Sequence, residues 1–141
     1  MRSSWTILIL GVIAFSMIAA MMLLMLDRLK ETPAGNRARL SNEIRESFRF
    51  DAVRVDRQKE DGRETIIVAY DTEEPLADPE RLESQMRSVA VFVFQKCDEQ
   101  DRKEVDRARI VRREIRRAGC DRQVVTSEYK MVNPELKKLI E

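Results

Sequence analysis

The chain has 141 residues, with 26 Lys and Arg set against 25 Asp and Glu, only four glycines, two cysteines and no histidine. That length allows one domain with an anchor or tail, and near-neutrality gives no overall pull toward nucleic acid or an anionic surface. The lack of histidine excludes Ser–His and Cys–His nucleophilic pairs, and without a glycine-rich loop the usual nucleotide cradle is missing.

The charges are unevenly placed. After a tail over 1–4, the run 5–26 (WTILILGVIAFSMIAAMMLLML) contains no charged residue, so with Arg2 set aside the remaining 25 bases and all 25 acids lie in 27–141. At 1.5 Å per residue the run extends about 33 Å, the thickness of a hydrocarbon core. Trp5 suits one interface, and Asp27, Arg28 and Lys30 suit the other. A cleaved signal peptide is the rival reading, but its apolar region is shorter and ends at a small-x-small site that is missing here. The expectation is a retained signal-anchor that spans the membrane once. The bases after the run count, by the positive-inside rule, toward a cytoplasmic C-terminus. A very short tail before a first helix argues the other way, and the N-terminus is placed inside with the soluble domain outside the cytoplasm. Ser16 and Ala20, four apart, are candidate helix-packing positions in the anchor.

Residues 27–36 form a linker, with Pro33 and Gly35 as breakers and Asn36 as the expected cap of a helix over 37–49, where Leu40, Ile44 and Phe48 recur every four positions. Val53 and Val55 then alternate with charged residues, as in a half-buried strand. Asp61-Gly62 is a tight hairpin turn, and ETIIVAY (64–70) is the better-buried partner strand. Asp78 and Pro79 open a second helix, on which Leu82, Met86, Val89, Ala90, Val93, Phe94 and Cys97 make a broad apolar face.

Residues 105–118 read two ways. Val105, Ala108, Val111, Ile115 and Ala118 fit a helical face. The turn-like RRAGCDR and the β-rich QVVTSEYKMV favour instead a second hairpin, 107–116 against 123–131. Asn133-Pro134 starts a short helix in the C-terminal segment 132–141. The fold expected is α+β: one transmembrane helix, then a small α-β-β-α-β-β domain over 37–131, with two helices on a four-stranded antiparallel sheet.

No catalytic residue, cofactor site or metal site emerges, and no small-molecule substrate is implied. Carboxylates cluster at Asp98, Glu99 and Asp101 as expected of a solvated loop. The segment 102–122 is rich in bases, with Arg107, Arg109, Arg112, Arg113, Arg116, Arg117 and Arg122 as candidate partner or anion contacts. Asp71, Glu73, Glu74, Asp78 and Glu80 form an acidic patch, able to pair with the bases within one molecule or between copies. Cys97 and Cys120 are candidates for a disulfide in an oxidising compartment. The function expected is a non-enzymatic membrane-anchored interaction domain, a subunit or accessory of a membrane or envelope complex that binds other such proteins or itself. The alternative is binding of anionic lipid or nucleic acid through 102–122, with nucleic acid placed last because no aromatic residue is there to stack on bases.

Overall fold

A computed structural model describes residues 2–30 and 32–140. In chain order the elements are α1 (Arg2–Lys30), α2 (Pro33–Phe48), β1 (Ala52–Glu60), β2 (Arg63–Thr72), α3 (Pro79–Lys96), α4 (Glu99–Glu104), β3 (Arg107–Ala118), β4 (Asp121–Val132) and α5 (Pro134–Ile140). The chain divides into two compact units between Gly35 and Asn36.

The first unit is dominated by α1. Its stretch Ser4–Arg28 is long and apolar enough to cross a membrane. Trp5, Phe15 and Met17 are 75, 76 and 69% exposed on different sides of the helix, so no side offers a polar face to water. The expected linker is shorter than 27–36, because α1 continues to Lys30 and α2 already begins at Pro33. Thr32 Oγ1 accepts from the Gly35 amide at 3.2 Å, so Thr32 caps α2 and Pro33 sits in its first turn. Asn36 is therefore helical rather than a cap, and its side chain donates to Asp98 Oδ2 at 2.9 Å.

In the second unit the strands lie in the order β1-β2-β3-β4. β1 and β2 are antiparallel from Ala52 opposite Asp71 to Glu60 opposite Arg63. Asp61 and Gly62 make the turn between them with φ of 50° and 74°, the positive angles that a two-residue hairpin loop needs. β3 and β4 are also antiparallel, from Arg107 opposite Val132 to Ala118 opposite Asp121. This settles residues 107–118 as strand, in a hairpin longer than expected, with Gly119 at φ 64° opening its turn.

The sheet is mixed, not antiparallel throughout. β2 and β3 run parallel, Thr65 beside Arg107 through Thr72 beside Glu114. The connection through α3 and α4 returns the chain to the starting end of β2, so β3 sets out in the same direction. The helix count also differs, with five among the described residues. Of the additional ones, α4 is capped by Asp98, whose Oδ1 accepts the Asp101 amide at 2.7 Å.

Period-two alternation builds the core. Ile66, Val68, Tyr70 and Thr72 of β2 stand beside Ala108, Ile110, Arg112 and Glu114 of β3, and all eight are buried on one face. Leu40 and Ile44 of α2 pack in the same cluster with Met86, Val89, Ala90, Val93 and Phe94 of α3. Phe50 stacks on Tyr70 with ring centroids 3.8 Å apart, and Phe48 stacks on Phe50 at 5.5 Å.

Candidate partner interface

The charged partner candidates singled out in the sequence fall mainly into two environments. Arg112 lies under α3, with its side chain 2% exposed. Its guanidinium donates to Glu114 Oε2 at 2.8 Å, Gln85 Oε1 at 3.2 Å and the Glu74 carbonyl at 2.7 Å. Gln85 Oε1 also accepts from the Tyr70 hydroxyl at 3.0 Å. This network joins α3, the loop after β2 and both central strands. Arg116 adds a second bond to Glu114 at 2.7 Å, and the two arginines hold the Glu114 carboxyl below its ordinary range.

The second environment is the face of the sheet away from the core helices. Asp71 accepts two bonds from Arg113, at 2.6 and 2.8 Å, which raises the arginine further above its usual value. Arg117 pairs with Glu73 at 3.1 Å, while Arg107 and Arg109 approach Glu60 at 3.5 and 3.4 Å. The acidic and basic groups thus meet within one molecule at Asp71 and Glu73, whereas Glu74 meets Arg112 through its backbone carbonyl alone. Asp78 instead caps α3, accepting the Glu80 amide at 3.0 Å, and Glu80 is exposed in the first turn. Arg122 is exposed near the tip of the β3–β4 hairpin and has no ion-pair partner among the described residues.

A third cluster was not anticipated. Arg57 on β1 binds Asp101 at 2.7 Å, and both Glu64 and Glu104 at 3.1 Å. Burial works against its charge, but the hydrogen bonds it donates to the carboxylates prevail and raise its pKa. Asp101 is buried rather than solvated, and burial together with Asp98 pushes its carboxyl up despite Arg57. The sequence signal for it was the pair Asp98 and Asp101 at the spacing of a helix cap.

The cysteines do not form the candidate disulfide. Both are free thiols, Cys97 buried and Cys120 exposed. Cys97 lies at the end of α3 where Arg102 and Asn133 tie the chain to the start of β3, whereas Cys120 occupies the turn beyond the other end of that strand. Twelve strand residues span about 40 Å, far beyond the ~7 Å Cα separation a disulfide allows. In α1 the Ser16 hydroxyl bonds back to the Val12 and Ile13 carbonyls at 2.9 and 3.0 Å. Ser16 and Ala20 are both exposed.

No group of three metal-ligating side chains gathers among the described residues. A depression of about 440 Å³ lies between α3, α4 and α5, lined by Val91, Phe94, Gln95, Arg102 and Asn133 among others. Two of its polar side chains, Arg102 and Asn133, are engaged in holding the fold. Arg102 donates to the Phe94, Gln95 and Cys97 carbonyls, and the Asn133 amide donates to those of Arg102 and Val105.

The remaining feature is a sheet edge. The Asn133 amide N–H donates to the Asp106 carbonyl at 2.9 Å, which continues the β3–β4 ladder and fixes its phase. Odd-numbered residues of β4 therefore bond to β3, and the backbone groups of Arg122, Val124, Thr126, Glu128, Lys130 and Val132 point outward. Among the described residues nothing bonds to those groups. The opposite edge, β1, is partly capped, since the Ser41 hydroxyl of α2 donates to the Val53 carbonyl at 2.6 Å. Compared with family models, curated proteins and solved structures, the chain matches none.

Proposed function

We propose that the chain is a non-enzymatic, membrane-anchored interaction module, a subunit or accessory of a membrane or envelope complex. The observation that carries this reading is α1, a helix long enough to span a bilayer whose large apolar side chains are exposed all round. Each such side chain gains about 1.5–3 kcal/mol on leaving water, which makes lipid the favourable surrounding. The helix is retained as a single-pass anchor, with the N-terminus inside and the soluble unit outside the cytoplasm. The open edge of β4 supports the interaction role, because unpaired strand edges recruit further strands.

The rival use of 102–122, gripping anionic lipid or nucleic acid, would have to displace carboxylates already paired with Arg107, Arg109, Arg112, Arg113, Arg116 and Arg117. The test is alkaline extraction of membranes followed by N-terminal analysis, with chemical crosslinking in the same membranes. An intact chain that stays in the pellet and crosslinks to a defined partner is expected. A trimmed chain released into the wash, or one that crosslinks to nothing, would overturn the reading.

A further inference from the structure

We propose that the partner for this edge is a second copy of the chain: two β4 strands pair antiparallel about a twofold axis through Val125, joining two sheets into one. This rests on the interaction role above and names its partner.

The hydrogen-bonding phase limits the ways such a pair can form. A continuous sheet keeps the core helices of both copies on one side only when even-numbered positions of β4 face even-numbered ones. Those are the residues whose N–H and C=O groups point outward. The registers that remain differ in charge. Centred on Val125, the pairing places Arg122 opposite Glu128 twice, Val124 opposite Thr126, and Val125 opposite itself. Centred on Thr126, it places Arg122 opposite Lys130 twice and Val124 opposite Glu128. Centred on Ser127, Val124 meets Lys130, and centred on Val124, Arg122 meets Thr126. Centred on Tyr129, Glu128 meets Lys130, but only 126–132 overlap and Arg122 and Val124 are left unpaired. Opposite charges meet with Arg122 and Val124 both inside the pairing only in the Val125 register, and like charges directly opposed disfavour the Thr126 one.

Three observations agree with that choice. Arg122 and Glu128 are exposed, and neither has an ion-pair partner among the described residues. Val124 and Val125, at the middle of the register, are 50 and 39% exposed. β2 ends beside Glu114, so the tip of the hairpin from Ile115 and Val124 onward projects past the rest of the sheet.

The test uses the full-length chain in lipid nanodiscs, with Cys120→Ser to remove the exposed thiol and Cys97 left in its buried place. Val125→Cys in that background puts two thiols in a non-hydrogen-bonded pair, about 4.5 Å apart at Cα, which suits a disulfide. Mild oxidation should link it at least about tenfold faster than Thr126→Cys. Arg122→Glu or Glu128→Arg alone should weaken self-association about tenfold, and the two together should restore it. Faster linkage at 126, or a dimer indifferent to both charge reversals, overturns this pairing. A monomer in nanodiscs whose chain crosslinks to a different protein in native membranes overturns the self-pairing and leaves the interaction role standing. A chain with neither self-association nor any crosslinked partner overturns both.

Discussion

Arg112 and Glu114, two positions apart on β3, meet at 2.8 Å with side chains only 2 and 3% exposed. Two residues apart on a strand is the same face, so both charges point beneath the helices rather than into water. Desolvation costs such a pair heavily, and its attraction compensates only when the remaining donors and acceptors are satisfied. Here Gln85, the Glu74 carbonyl and Arg116 supply those bonds.

Removing one partner should therefore cost more than removing both. Arg112→Met is expected to destabilise the protein by about 3–5 kcal/mol, because it leaves Glu114 buried with Arg116 alone. The double change Arg112→Met with Glu114→Leu should cost clearly less than the sum of the single changes. Urea unfolding of all four proteins in one detergent gives the coupling directly, and strict additivity would show that the two groups do not act as a pair.

The same carboxylate gives the fold an acid limit. Hydrogen bonds from Arg112 and Arg116 lower the Glu114 pKa in the folded chain, so folding favours its charged form. That contribution is complete above about pH 5, where unfolded glutamates are ionised, and is lost as pH falls through the lower folded value. The stability gap between the natural protein and Glu114→Gln should narrow steadily below about pH 4.5. Urea midpoints from pH 7 down to 3 measure it, and a constant gap would remove Glu114 from the acid response.

How much of this could be read beforehand depended on the range of the signal. The Asp61-Gly62 turn, the Asp78 cap and the apolar stripe from Leu82 to Phe94 are local patterns, and each appears in the fold as expected. The direction in which β3 lies against β2 is not local, because periodicity is identical for parallel and antiparallel strands. Arg112 was misleading in another way. In ARIVRREI charges occupy both faces, and residue type marked Arg112 as a candidate partner or anion contact. Continuing the alternation of Ala108 and Ile110 places Arg112 and Glu114 inward, so phase was the better guide. The free edge of β4 left no trace in the sequence, since an edge exists only once strand order is known.

Asn133 should prove more important than its place near the C-terminus suggests. It is fully buried, its amide nitrogen donates to the Arg102 and Val105 carbonyls at 2.7 and 2.8 Å, and its Oδ1 accepts the Glu135 amide at 3.0 Å. One side chain thus closes the end of α4, holds the entry to β3 and starts α5. Asn133→Ala strips these buried groups of their partner and should cost about 2–4 kcal/mol, read as a lower urea midpoint. Asn133→Asp should not rescue it, since a carboxylate cannot donate to the two carbonyls. Full rescue by Asp would mean that capping α5 is the only role of the residue.

The two thiols should differ sharply in reactivity. Cys97 is buried at the end of α3, and burial raises its pKa, so both access and thiolate fraction are reduced. Cys120 stands exposed in the hairpin turn. A maleimide reagent should label Cys120 within minutes and Cys97 at least about a hundredfold more slowly, because Cys97 reacts only through local opening. On non-reducing gels the natural chain and Cys97→Ser should migrate alike as monomers, since no intramolecular bond can span β3. A faster-migrating monomer that depends on both cysteines would contradict the placement of the second hairpin. It would also remove the phase from which the outward groups of β4 are assigned.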